Sequence, residues 1–323
     1  MMMIWILLGL GAMALIFKPN LVKSTGLSTA GIRGEFFNRF EAVETLYEQL
    51  STRIPSTTSA ESYKWLGTVP QVREWGSGRL AKGLRSESYS VENLKYEATL
   101  EVDRDEISDD QLGQIRIRIA ELAQRAATHK DYLIAQLLIN GATSGYNSYD
   151  GVTFFNAAHV SGASGNQDND LAPSATDASA PTTAEFKTAL GAAIATMMGF
   201  VDDQGEPMHL DASGLVCLVP PSMYFTALEA VNASVISQTT NVMAGIADVR
   251  SFPWLSTATT WYLCKVNTPV RPFVFQDREP IEFNALDIGS EQDFLREKLL
   301  FGVRARYRMT YAYWQNCVRS VFA

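Results

Sequence analysis

The most regular alternation of apolar and polar positions begins at Ile115 and recurs at Ile119, Leu122, Ala126, Leu133 and Leu137, the spacing of one helix face. Ile117, Ile134 and Leu138 widen this stripe. A charged, strand-like approach ends at Ile107, and Ser108 with Gln111 has capping-box spacing. In that arrangement the hydroxyl accepts from a first-turn N–H while the amide reaches back. Asp109 and Asp110 put negative charge at the positive end of the helix dipole. Asn140-Gly141 predicts a left-handed stop. A helix from Asp109 to Ile139 is about 46 Å long at the standard rise. It has no heptad register, so it reads as a spine for other elements.

Upstream, Ile32, Phe36, Phe37, Phe40, Val43, Leu46 and Tyr47 predict a helical arm between Thr25 and Leu50. Ile54-Pro55 ends it, and residues 51–60 read as a polar linker. Residues 61–103 have strand texture at Tyr63, Trp65, Val72 and Trp75 and again from Tyr89 to Val102, around Gly76-Ser77-Gly78 and Lys82-Gly83. A two-stranded ribbon is marginal in water, so this long hairpin needs a surface in its own subunit or a neighbour. Downstream, residues 141–182 read as a long polar loop around a short Val152–Phe155 strand. A helix follows from Thr183 to Met198, capped by Thr182 or Thr183, with Glu185 in its first turn. Gly214–Val219 reads as a buried strand turning into a helix from Met223 to Asn232. More strands are expected at Phe252 and Trp254, Trp261–Leu263 and Val270–Phe275, which together predict an α/β or α+β second domain. Finally Val303, Ala305, Tyr307, Met309 and Tyr311 alternate with Arg304, Arg306, Arg308 and Thr310, a strand with one basic face.

Charge sharpens the division. The net of −8 over 323 residues argues against broad nucleic-acid coating. Residues 150–292 hold 5 basic and 16 acidic groups, whereas residues 293–323 hold 6 and 2, so the middle of the chain is a distinct acidic block. Three cysteines, Cys217, Cys264 and Cys317, lack CxxC spacing and read as reduced core thiols, with no zinc or disulfide framework. Residues 1–17 are uninterrupted apolar sequence before Lys18-Pro19. As a transmembrane helix they are at the short limit, and as a signal peptide they lack a basic start and a cleavage site. Gly9 to Ala14 imitates a dinucleotide turn, but Pro19 would break the following helix and no βαβ unit follows. The segment 1–23 also fits an upstream start outside the working protein, or a buried extension.

Little here resembles a reaction centre. The histidines are His129, His159 and His209, and no zinc-protease, nucleophile-elbow or phosphate-loop motif occurs. His129 reads as a helix-packing residue and His159 as a structural loop histidine. Asp103, Asp105, Glu106, Asp109 and Asp110 could be read as a metal site, but the glycine and distal glutamate of a calcium loop are missing, and a solvated helix entrance fits better. Arg304, Arg306 and Arg308 could meet phosphates or pair with the acidic block. No catalytic residue, cofactor site or metal site emerges, and an enzyme is the weakest reading.

One further pattern is specific in order and spacing. Trp65-Leu66-Gly67, Pro70, Arg73-Glu74-Trp75, Tyr96-Glu97, Arg104-Asp105-Glu106-Ile107 and Asp109-Asp110 resemble the major head subunit of Mu-like tailed bacteriophages. Tyr149-Asp150-Gly151, Phe154-Phe155, His159, Val219-Pro220-Pro221, Arg296-Glu297-Lys298, Tyr311 and Trp314-Gln315 extend the resemblance over about residues 30 to 320. It gives residues 1–20 no place. The resemblance implies an α+β, HK97-like capsid fold: an N-terminal arm (24–60), an extended E-loop β-hairpin with an adjoining strand (61–103), and a P-domain with a long spine helix (104–140). An A-domain (141–290) and returning P-domain strands (291–323) complete it. It implies self-assembly through hexamers and pentamers into an icosahedral virion shell enclosing double-stranded DNA, with assembly in the host cytoplasm. Too little chain precedes Ser59 for a built-in scaffold, so a separate scaffold protein and maturation protease are implied, beside a portal protein, a decoration protein and packaged DNA held by non-specific proximity. The inter-subunit contacts it suggests are Trp65, Arg73, Trp75, Arg79, Lys82, Phe36 and Phe40, with Arg304, Arg306 and Arg308 as inner-surface or packing arginines. The competing readings are an encapsulin-type shell and a membrane-tethered surface or periplasmic protein.

Overall fold

The computed structural model describes residues 29–64, 66, 89–108, 113–236 and 239–323. In chain order the first elements are α1 (Thr29–Ala42), α2 (Tyr47–Leu50), β1 (Ser51–Pro55), β2 (Ala60–Tyr63), β3 (Tyr89–Glu92), β4 (Leu94–Asp103), α3 (Arg104–Ser108) and α4 (Gly113–Asn140). Then come β5 (Asp170–Leu171), α5 (Thr183–Met198), β6 (Leu215–Val219), α6 (Tyr224–Asn232), β7 (Val235–Ile236), β8 (Thr239–Thr240), β9 (Ala247–Ser251) and β10 (Thr260–Lys265). The last are β11 (Phe273–Leu286), α7 (Glu291–Arg296), β12 (Lys298–Tyr311) and β13 (Cys317–Val321).

Two sheets organise these elements. One has the order β1-β11-β12-β4, the other β5-β13-β10-β6-β9. The spine α4 is 28 residues, about 42 Å. It lies against the first sheet because its apolar stripe meets the alternate residues of the long strands. Ile115, Ile119, Leu122 and Ala123 pack with Val102, Phe283, Leu299, Phe301 and Val303, and Ile32 and Phe36 of α1 close this core. A larger core joins the far end of α4 to the second sheet through Phe154, Phe155, Phe186, Trp261, Phe273, Phe275 and Trp314. Burying side chains of this size contributes about 1.5–3 kcal/mol each.

Several local expectations are corrected. The strand approaching the spine ends at Asp103, and Arg104–Ser108 is a short helix of its own. The Asp103 carboxylate accepts from the Asp105 N–H, 3.3 Å, which turns the chain early. Residues 109–112, which include most of the expected capping box, lie outside the described residues. Gly141 does not adopt a left-handed conformation. It is small because an added Cβ would stand 2.7 Å from the Phe155 ring. The arm helix breaks after Ala42 because Asp131 of the spine accepts from the Leu46 and Tyr47 backbone N–H groups and starts α2 anew. Ser51–Pro55 is an edge strand paired parallel with β11 and not a linker, and an edge is where a strand tolerates proline. Val152–Phe155 forms an isolated bridge at Thr153 in place of a strand, with Phe154 and Phe155 buried.

Other expectations hold closely. α5 spans the expected residues, and Thr182 and Glu185 form a reciprocal capping box. β12 alternates half-buried and buried residues from Lys298 to Met309 as the period-2 pattern requires, and its last residues, Thr310 and Tyr311, are both buried. Its continuation does not stay in the same sheet. After Trp314–Asn316 the chain crosses into the second sheet as β13, while β11, drawn from the acidic block, belongs to the first.

Candidate functional site

No reaction centre takes shape among the described residues, and no group of histidine, cysteine and carboxylate side chains there could hold a metal ion. What the fold builds is a joint between two sheets, a rooted hairpin and a set of exposed apolar ends.

The joint lies where β12 crosses to β13. Trp314 is wholly buried, and the His159 ring stacks on it at 4.0 Å and 10°. His159 Nδ1 lies 2.6 Å from Asp150 Oδ2, and both side chains are buried. Asn169 donates its amide N–H groups to the Phe154 and Cys317 carbonyls, 2.9 and 3.1 Å, so its Oδ1 faces His159 Nε2 at 3.2 Å. Nε2 is therefore the donor to Asn169, and Nδ1 and the Asp150 carboxylate hydrogen-bond each other. His209 Nε2 donates to the Gln315 carbonyl, 3.0 Å, which fixes the same turn from another side. His159 is structural as expected, and the long 141–182 loop is pinned through it to the place where the sheets meet.

The hairpin roots on β11. Gln276 is wholly buried, accepts from the Tyr63 hydroxyl at 2.7 Å, and donates to Asn93 Oδ1 at 2.8 Å and the Val91 carbonyl at 3.2 Å. Tyr63, Leu66, Val91, Val274, Ala312 and Tyr313 form a small apolar core beneath it. The hairpin base thus finds its surface within its own chain. Glu61 holds the turn before β2, accepting from the Thr57 N–H, Ser56 Oγ and the Thr58 N–H and hydroxyl, and these bonds pull its carboxyl down to about 2. Trp65, Arg73, Trp75, Arg79 and Lys82 lie outside the described residues.

Of the two arm phenylalanines, Phe36 is corrected. It is wholly buried in its own chain against Phe283, ring centroids 5.1 Å apart, which leaves a neighbour nothing to touch. Phe40 is half-buried and stacks on Phe36. The arm is held to the spine by Lys130, whose ammonium sits over the Tyr47 and Phe275 rings at 4.3 and 4.7 Å. Burial lowers its affinity for a proton, with Asp277 opposing that shift.

The basic face of β12 meets carboxylates. Arg304 lies 2.7 Å from Glu279 and 3.9 Å from Glu282, and Arg306 is 3.4 Å from Glu279. Lys298 pairs with Glu101 across the β4 edge. Arg308 lies beside the Tyr96 side chain. Both glutamates facing Arg304 come from the acidic block, one of the two options that the charge distribution left open.

Large apolar side chains are left in solvent at the end of the β11–β12 pair. Phe294 is 87% exposed, Leu295 64% and Ile288 52%, with Leu286 beside them on β11. A second set, Phe225, Leu210 and Val242, is exposed on the acidic block. Pattern reading missed both. The adjacent Phe294-Leu295 pair in a six-residue helix, whose buried residue is Asp293, was the available signal.

Among the described residues no helix is long and apolar enough to cross a membrane, and residues 1–23 are not among them. The family described as Mu-like prophage major head subunit gpT matches residues 27–186 and 256–321. The Mu-like prophage FluMu major head subunit of Haemophilus influenzae is 22% identical over 300 residues, 92% of this chain and 72% of that one. The major capsid protein of Escherichia phage Mu is 24% identical over 287 residues, 88% of this chain and 70% of that one. Among solved structures, the procapsid of bacteriophage JBD30 superposes with a TM-score of 0.51 at 21% identity, covering 90% of this chain and 74% of that one, a likeness of fold.

Proposed function

The chain belongs to the Mu-like prophage major head subunit family, and from that premise we propose how its surfaces build the shell. As a member it is a structural head protein of the capsid, with an HK97-like fold, and not an enzyme. On our reading residues 29–50 act as the arm, the 61–103 hairpin as the loop reaching a neighbour, and α4 with the first sheet as the peripheral domain. The second sheet with α5 and α6 acts as the axial domain, and the shell is a closed icosahedron of hexamers and pentamers. Subunits assemble in the host cytoplasm on a separate scaffold protein, with a maturation protease, a portal and a decoration protein as partners. Double-stranded DNA is held by proximity. In this reading Arg304 and Arg306 are packing arginines, because their carboxylate partners satisfy them without phosphate.

The observation that carries the assembly reading is the apolar tip formed by Phe294, Leu295, Ile288 and Leu286. Side chains of this kind, gathered at one end of a fold and uncovered, mark a contact surface. The partner is another copy of the chain, since repeated heterologous contacts generate closed shells. Phe294→Asp combined with Leu295→Asp is expected to leave the far-ultraviolet circular dichroism and melting of the subunit unchanged. It should raise the concentration needed for assembly, followed by light scattering, at least about tenfold, a modest contact of about 1.4 kcal/mol multiplied over many subunits. Wild-type assembly by this variant would remove the tip from the interface.

A further inference from the structure

We propose that Cys264 and Cys317 form a cross-strand disulfide site, open in the subunit described above and closed by oxidation. The two residues stand directly opposite each other where β10 pairs antiparallel with β13. Their sulfurs are 3.3 Å apart, and both side chains are wholly buried. A disulfide needs a separation of about 2.05 Å and Cα atoms about 4.4–6.8 Å apart. Opposed residues of an antiparallel pair meet the second requirement without backbone movement, at about 4.5–5.5 Å. The sulfurs then close the remaining gap, about 1.2 Å, by side-chain rotation. Cys217 does not compete. From β6 it pairs in register with Leu263 of β10, next to Cys264, so it projects from the opposite face of the sheet.

The bond would matter because of what lies between its ends. The 53-residue span from Cys264 to Cys317 leaves the second sheet, runs through β11, α7 and β12 of the first, and returns across the Trp314 turn. Closing it laces the joint described above and anchors β13, whose other neighbour in the sheet, β5, is only two residues long. In the reaction two thiols lose two protons and two electrons, and one S–S bond forms. Dissolved oxygen takes both electrons and protons to become hydrogen peroxide, or a small-molecule disulfide takes them and becomes two thiols. Burial pushes the Cys317 thiol well above its usual range, so closure waits for transient loosening of the strand pair and is slow. The timing rests on the head-protein reading: thiols stay reduced during assembly inside a cell and meet oxygen once particles are released.

The test needs only the purified full chain, assembled or not, so failure of the assembly reading and failure of this one are distinguishable. The protein is incubated with diamide or with dithiothreitol, unfolded, alkylated and mapped by mass spectrometry. After diamide we expect a loss of about 2 Da, a Cys264–Cys317 linked peptide, alkylation at Cys217 alone, and a higher melting temperature. Cys317→Ala and Cys264→Ala should each abolish the mass loss, whereas Cys217→Ala should retain it. Three alkylatable thiols after oxidation of the wild-type chain, or a bond involving Cys217, would overturn the proposal.

Discussion

Asp150→Ala is expected to lower the unfolding free energy by about 1–3 kcal/mol, the cost of leaving a buried polar group without its hydrogen-bond partner. His159 keeps its Nε2–H on Asn169 and its ring on Trp314, but Nδ1 loses its 2.6 Å partner in a buried site. Asp150→Asn retains an acceptor oxygen in the same place and should cost less than half as much. Urea denaturation of both variants, compared through midpoint and slope, checks this. A loss below about 1 kcal/mol for the alanine variant would mean that solvent or a rearranged loop replaces the carboxylate. The consequence reaches beyond stability. The pair sits where β12 leaves one sheet for the other, so loosening it frees the angle between the sheets. If the chain tiles a shell as proposed, that angle bears on the curvature of each tile. Particles from Asp150→Asn are therefore expected to be more variable in diameter than wild type.

How much of this was legible in the chain depends on the range of the interaction that decides each feature. The spine, α5 and β12 were readable because periodicity and caps are local, and Thr182 with Glu185 lie three residues apart. Ser51–Pro55 was misread because its partner, Phe273–Asp277, is over two hundred residues away, and a short polar strand has no signature without it. The break in the arm was equally hidden, since its cause is Asp131 on another helix. Gly141 was assigned the wrong reason for the right identity: the pressure on it comes from Phe155, not from the helix end. Surfaces were the least legible. Phe36 and Phe294 are both phenylalanines on amphipathic stretches, yet one is sealed in the core and the other stands in water. The functional reading came from motif order and spacing, which composition and charge could not have supplied.

The second large effect concerns the hairpin. Replacing Gly76 to Gly83 with a short Gly-Ser turn should leave a soluble, folded subunit, because the root at Tyr63, Val91 and Gln276 lies outside the deletion and is anchored in its own chain. Closed shells should be lost entirely. The reason is arithmetic: if this stretch reaches a neighbouring copy as proposed, its contact is removed at every subunit, and a modest loss at each one compounds over the whole particle. Size-exclusion chromatography and thermal melting establish folding, and particle counts establish assembly. Intact closed particles from this variant would show that the reaching loop is dispensable.

The central claim is that these surfaces exist to join copies of one chain into a closed container. Negative-stain electron microscopy of the purified protein, expressed with the scaffold protein proposed above and without lipid, tests it most directly. The account predicts hollow, closed particles of narrow diameter distribution, their walls one subunit thick. A preparation that stays monomeric at high concentration, or that pellets with membranes in carbonate and yields no particles, would contradict it.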